Sequence, residues 1–249
     1  LIRNKLKSGK SSIGSWMQTA DSNIAEIMGK LNYDWITIDL EHGSASLANL
    51  PDLFRSIDLG YSLPLVRLAS ADKEVSKRAL DAGAGGLIFP NIETGKQLIE
   101  IISASCWPPT GKRSVGFSRA NLYGEYFDEY KKEAQSPLII AMIESLKGLD
   151  NLEEILRTPG LDAVMVGPYD LSASLQITGD FKNKIFKDAL RYIAKTSKAM
   201  KIPVGIHQVE PSLEELREKI KKGYQFLAYS IDTVFINKLA KNPLQLNKK

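Results

Sequence analysis

Short β-branched, almost wholly apolar runs alternate with amphipathic stretches along the whole chain. The runs fall at 13–17, 35–39, 63–68, 86–90, 138–143, 163–167, 203–207 and 225–230. Several lack any polar alternation, as in Leu138-Ile-Ile-Ala-Met-Ile143. That is the pattern of a parallel strand buried on both faces. Between the runs, apolar residues recur at helical spacing over 21–31, 47–58, 72–82, 94–105, 147–157, 182–200, 211–222 and 232–240. Asp21, Ser46 and Ser212 stand where helices begin, and Gly60, Gly83 and Gly223 where they end.

Eight strand-then-helix units close most economically as a single-domain (β/α)₈ barrel of the TIM type, in the α/β class. The length of 249 residues agrees with that, although it would also allow two small domains. An open doubly wound sheet is the main competitor. Such sheets often begin with a glycine-rich turn, whereas the first strand here runs into Gln18-Thr-Ala-Asp21. One excursion breaks the rhythm. Residues 107–136 pass from a Pro- and Gly-rich loop, Trp107 to Gly116, into a helical stretch rich in Tyr, Glu and Lys. It leaves a helix rather than a strand, so it starts on the face away from the chemistry.

Composition narrows the function classes. The net charge is +4, with basic residues dispersed from end to end, which argues against a nucleic-acid partner. Pairs such as Lys131-Lys132, Lys221-Lys222 and Lys248-Lys249 read as solvated helix faces and a tail. Cys106 alone excludes an internal disulfide framework and reads as a buried, idle thiol. No apolar run is long enough for a membrane span, and the opening residues carry no signal-peptide core. The expected location is therefore the cytoplasm.

In a barrel of this type, chemistry sits at the carboxyl ends of the strands. The polar residues predicted there are Asp39, Glu41 and His42, then Arg67, Glu144, the segment Gly167-Pro-Tyr-Asp170, and His207. Glu144 and Asp170, on neighbouring strands, form a hard oxygen site suited to Mg²⁺ or Mn²⁺. His42 offers a base near neutral pH, and Arg67 a fixed charge for an oxyanion. Each has a plainer reading as a helix cap, a satisfied histidine or a salt-bridge partner. Their convergence on one face favours a site.

The same stretches resemble the HpcH/HpaI family of class II 2-oxo acid aldolases. The matching segments are Asp34-Trp-Ile-Thr-Ile-Asp-Leu-Glu-His42, Pro64-Leu-Val-Arg67, Ala79-Leu-Asp-Ala-Gly-Ala84 and Pro108-Pro-Thr-Gly-Lys-Arg-Ser-Val-Gly116, followed by Ile143-Glu144 and Val166-Gly-Pro-Tyr-Asp-Leu-Ser172. The resemblance implies a divalent metal on Glu144 and Asp170: Mg²⁺ or Mn²⁺, with Co²⁺ or Zn²⁺ as alternatives. It implies Arg67 on the 2-oxo oxygen of a pyruvate unit. His42 would be the acid/base, directly or through water, oriented by Asp81. The amides of Tyr169 and Asp170 would receive the carboxylate, with Asp39 and Glu41 supporting the site. The expected partners are a small 2-oxo acid and an aldehyde, and a homo-oligomer, trimer or hexamer; the apolar pattern Val234, Phe235 and Leu239 of the last helix is compatible with a role there and equally with packing on its own barrel.

Three residues depart from the family pattern. Met142 stands where Gln is common, Tyr169 where a small residue is frequent, and His207 where no histidine is expected, so that it either contacts substrate or, as the favoured reading, fills the rim. Rival readings are a CoA-thioester lyase of the citrate-lyase β or malyl-CoA type, and a barrel that binds a 2-oxo acid without turnover. For a Schiff-base aldolase the chain lacks a strand-end lysine, and for a sugar-phosphate enzyme it lacks glycine turns after the last two strands.

Overall fold

The computed structural model describes residues 1–242. Eight parallel strands, β1 (Ser12–Met17), β2 (Trp35–Asp39), β3 (Leu63–Arg67), β4 (Gly86–Phe89), β5 (Leu138–Ile143), β6 (Ala163–Val166), β7 (Val204–Gln208) and β8 (Phe226–Ile231), pair in chain order and close on themselves. β8 returns to β1 in parallel register, Ser12 opposite Phe226. The eight strand expectations hold to within one residue at each end.

The helices are α1 (Ile2–Lys7), α2 (Ser22–Lys30), α3 (Leu50–Asp58), α4 (Lys73–Asp81), α5 (Gly95–Ser105), α6 (Phe127–Ala134), α7 (Leu146–Asp150), α8 (Leu152–Leu156), α9 (Pro168–Ser174), α10 (Lys184–Ala199), α11 (Leu213–Lys221) and α12 (Asp232–Leu239). Asp21 and Ser212 cap α2 and α11 as expected, by accepting first-turn amides. Ser46 does not cap α3. The helix begins later, after Asn49 with Pro51 in its first turn, and Ser46 instead donates to the Asn49 side chain. The stretch 147–157 is not one helix. It breaks at Asn151, whose side-chain amide donates to the Glu93 carbonyl at 2.8 Å, giving α7 and α8. Helices α1 and α9 escape the periodicity because each spans less than two full turns.

Side chains alternate across each strand, and this builds two cores. Outward-facing Ile36, Ile38, Val66, Leu87, Phe89, Ile139, Ala141 and Val164 pack under the helices with Leu53, Phe54, Ile57 and Leu98. Inward-facing Trp35, Leu65, Ile88, Leu138, Ile140, Ala163, Met165, Phe226 and Ala228 fill the barrel, and Ile2 and Leu6 of α1 join them. Trp35 lies flat on Phe226, centroids 4.3 Å apart and planes 7° apart. Gly14 makes this possible, because a Cβ there would sit 2.0 Å from the Trp35 ring.

The excursion 107–136 folds against the amino ends of the strands, as its departure from a helix predicts. Arg119 donates to the Ala82 carbonyl at 3.0 Å and to Asp58 at 2.6 Å, both at helix carboxyl ends. Cys106 is buried, as expected. In α12, Phe235 packs on the chain's own core and Val234 on the barrel interior, while Leu239 stays exposed. Lys248 and Lys249 lie outside the described residues. Among those described, no helix is long and apolar enough to cross a membrane.

Candidate active site

The inward alternation that buries apolar side chains at the amino end brings polar ones to the carboxyl end. Continuing the parity of each strand, Trp35 leads to Asp39, Leu65 to Arg67, Ile140 to Glu144 and Gly205 to His207. Asp39, Arg67 and His207 line a mouth cavity of about 280 Å³ together with Trp16, His42, Tyr169 and Asp170, and Glu144 sits against Gly167 in its wall.

Arg67 and Asp39 form its rigid floor. Arg67 Nε donates to Asp39 Oδ1 at 2.9 Å and Nη2 to Oδ2 at 2.5 Å, while Nη1 lies 2.7 Å from Glu41 Oε2. Both partners of the bidentate pair are buried. A buried pair of this kind holds position because loss of either member strands a charge. Asp39 also accepts the amides of Glu41 (3.0 Å) and His42 (3.2 Å), so one carboxylate fixes the guanidinium and the turn carrying His42. Although burial opposes its ionisation, Arg67 and the two amides hold the Asp39 pKa below the usual carboxylate value. Burial raises that of Glu41. A guanidinium has five N–H bonds. Two are donated to Asp39 and Nη1 is ion-paired with Glu41, which leaves N–H bonds at the tip of Arg67 for a ligand oxygen.

Glu144 is the electrostatic outlier. It is buried, with Oε1 accepting the Asn91 amide at 2.6 Å and Oε2 without a partner among the described residues. Burial, reinforced by the nearby charges of Asp170 and Glu41, pushes its pKa up to about 7. A buried carboxylate oxygen with no donor is costly and calls for a missing cation or proton. Gly167 leaves the space in front of it open, since a Cβ there would fall 2.4 Å from Oε2. Asp170, in the first turn of α9, is exposed to the cavity. Among the described residues no group of three or more His, Cys, Asp or Glu could hold a metal by itself. The fitting arrangement is therefore two carboxylates, with the remaining positions open to water and substrate oxygens. Oxygen-only donors suit Mg²⁺ or Mn²⁺ better than softer ions.

Asp81 does not join the other site residues within the chain. It ends α4, which runs back from the mouth, so its carboxylate lies at the amino end under the charges of Arg113 and Lys77. The support for His42 comes from Asp39 instead. His207 is more than rim. Its ring stacks on Trp16, centroids 4.6 Å apart, and Trp16 in turn faces Arg67, whose Cζ lies 5.5 Å from the ring centre. Burial pushes the His207 pKa down to about 4, so it is neutral near pH 7. Met142 is buried beside Gly167 and presents no hydrogen-bonding group to the mouth. Tyr169 is half exposed and leans edge-on against Phe181 at 5.0 Å.

Reading the sequence missed Trp16, Asn91 and Asp232. Trp16 has the inward parity of β1 and could have been found from it. Asn91 acts through its backbone amide, and Asp232 by accepting the amides of Gln18 and Thr19 at 2.9 and 3.1 Å, which ties the β1 loop to β8. Neither contact has a signature in sequence.

Residues 12–238 match the model of the HpcH/HpaI aldolase/citrate lyase family. A 2-keto-3-deoxy-L-rhamnonate aldolase of Klebsiella pneumoniae is 32% identical over 240 residues, covering 94% of this chain and 87% of that one. The crystal structure of an HpcH/HpaI aldolase/citrate lyase family protein from Burkholderia cenocepacia J2315 superposes with a TM-score of 0.92 at 30% identity, over 99% of this chain and 98% of the other. An HpcH/HpaI aldolase from Desulfitobacterium hafniense, 24% identical, shares the fold with a TM-score of 0.88 over 100% and 97% of the two chains. By the family match over almost its whole length, the chain belongs to the HpcH/HpaI aldolase/citrate lyase family.

Proposed function

We propose that this protein is a divalent-metal-dependent aldolase that cleaves, or in reverse forms, the bond between C3 and C4 of a 4-hydroxy-2-oxo acid, giving pyruvate and an aldehyde. The observation that carries this reading is the buried, donor-free oxygen of Glu144, set against Gly167 in the wall of the cavity that Asp170 and Arg67 also line. A cation held by Glu144 and Asp170 would supply positive charge to the 2-oxo and carboxylate oxygens of the substrate.

The chain's own groups do the rest. Arg67 donates to the 2-oxo oxygen as negative charge builds there, from a guanidinium that Asp39 has already immobilised. The first-turn amides of α9 at Tyr169 and Asp170, where no side chain caps the helix, donate to the substrate carboxylate. His42, at the mouth, takes the 4-hydroxyl proton as the C3–C4 electron pair moves into the enolate. Protonation at C3 then gives pyruvate. At about 280 Å³ the mouth suits a short-chain acid, and Tyr169 limits its width. A short hydroxyaldehyde is the proposed second product, in keeping with the sugar-acid substrate that the named relatives bear in their names.

The CoA-thioester alternative is not favoured, because relatives matched over 94% of the chain are named as aldolases of a free keto-acid. The test is pyruvate release coupled to lactate dehydrogenase, with and without chelator, in wild type and Glu144→Gln. Turnover that chelator abolishes, Mg²⁺ or Mn²⁺ restores, and Glu144→Gln lowers at least about a hundredfold is expected. Chelator-resistant turnover, or a fully active variant, would remove Glu144 from the role.

A further inference from the structure

The basic residues that look dispersed in sequence are not dispersed in space. At the amino end of the barrel, opposite the mouth, lies a cavity of about 940 Å³. Six lysines line it: Lys7, Lys10, Lys198, Lys201, Lys221 and Lys222. They come from three separate stretches, the end of α1 with its turn, the end of α10 and the end of α11. Arg3 and Asp162 also border the cavity but neutralise each other, with Nε–Oδ1 at 2.6 Å. Of the six lysines, only Lys222 has an acid within 4 Å among the described residues. That acid is Glu218, 3.7 Å away along α11, and both side chains are more than half exposed. Six positive charges in one bowl exceed the +4 of the entire chain, so everything outside it is net negative.

Helices in this fold run back towards the amino end, and lysines at helix carboxyl ends are favoured by the helix dipole. Three such ends carry about half a negative charge each, which offsets about 1.5 of the six charges. More than four remain. They also repel one another, which favourable dipoles do not require.

A sphere of the cavity's volume is about 12 Å across, so an ion at its centre lies within a Debye length, about 8 Å at physiological salt, of every wall. The lysines therefore act on it jointly. Leu6, Leu161, Ile202, Val204 and Tyr224 form an apolar floor that limits competing solvation.

We propose that this bowl binds a small multivalent anion carrying at least two phosphate groups. The guanidinium fork suited to a single carboxylate is already taken, since Arg3 donates to Asp162, Ser136 and Pro137. What is left is a ring of ammonium point charges, which selects for total charge spread over several oxyanions rather than for planar geometry. A bowl of this size favours a compact ligand over a nucleic-acid duplex, whose charge is strung out along its axis.

The experiment is calorimetric titration of the full chain with inorganic triphosphate, saturating pyruvate being present to separate this site from the mouth. One saturable site is expected, weakening as salt rises. Affinity should fall at least tenfold in the triple variant K198Q/K221Q/K222Q, and also in K7Q/K10Q, with kcat and KM for pyruvate release unchanged in both. Citrate replaces triphosphate in a parallel arm and should bind at least tenfold more weakly. No saturable binding at millimolar triphosphate, unchanged affinity in both variants, citrate binding as tightly, or duplex DNA binding more tightly would each overturn the proposal.

Discussion

The two ends of this barrel are built from the same eight strands yet solve opposite problems. At the amino end, inward positions carry rings and branched chains: Trp35 on Phe226, with Leu65, Ile88 and Leu138 around them. Further along the same faces, by even steps, stand Asp39, Arg67, Glu144 and His207. The first group is stabilised by removal from water, roughly 1.5–3 kcal/mol for each large side chain. The second is held together by compensation, each charge tolerable only because another group faces it. Glu144 is where compensation is incomplete, and the proposed metal site rests on that. An apolar end can give up stability and keep function, whereas a charged end puts both at stake together.

Substitutions at the two ends should therefore separate stability from turnover. Arg67→Ala is expected to have the largest effect because it strikes both. It strands the buried Asp39 carboxylate, costing about 3–5 kcal/mol of stability, and removes about 3 kcal/mol of transition-state stabilisation. Urea midpoints and kcat/KM read the two separately, and a stable or nearly active variant would break the contrast. Phe226→Ala should cost about 3–5 kcal/mol in urea unfolding while leaving kcat/KM of the folded protein unchanged. A parallel loss of turnover would show that the two ends are mechanically linked.

His207 gives a pH-dependent test. Its pKa is about 4 in the folded chain against 6.5 for the free group. Above pH 6.5 both states are neutral and its contribution to stability is whole. As pH falls towards 4 the unfolded chain takes up a proton that the native ring refuses, and at most about 3 kcal/mol is lost. In His207→Phe, which retains a ring on Trp16, that share of the acid loss should vanish from wild-type-minus-variant unfolding curves; parallel curves would mean that the ring titrates normally. The smallest effect belongs to Met142→Leu, under about 1.5 kcal/mol of stability with unchanged kcat/KM. A large drop in turnover would give the sulfur a direct role.

Most of the mouth is legible in the amino-acid sequence, because strand parity and the carboxyl-end rule convert positions such as Glu144 and Arg67 into neighbours. Asp81, assigned by the family resemblance alone, lies outside that reasoning, and within this chain it stands apart from the mouth. It lies in a helix, and a helix carries its last turn to the other end of the barrel, so proximity to a motif in sequence becomes distance in space. His207 escapes it for a different reason: its partner Trp16 is nearly two hundred residues away, and stacking has no local pattern.

By itself, the amino-acid sequence determined the number and order of strands, the barrel they form, and the side chains at each strand end, since these follow from periodicities of two and 3.6 that act over a few residues. Only the tertiary structure decided which charges meet. That Asp39 serves both Arg67 and the His42 turn, that Glu144 keeps one oxygen without a donor, and that lysines from three separate stretches gather around one bowl all depend on closure of the barrel. Electrostatic energies scale with distance through space, and closure sets those distances between residues that the chain keeps far apart.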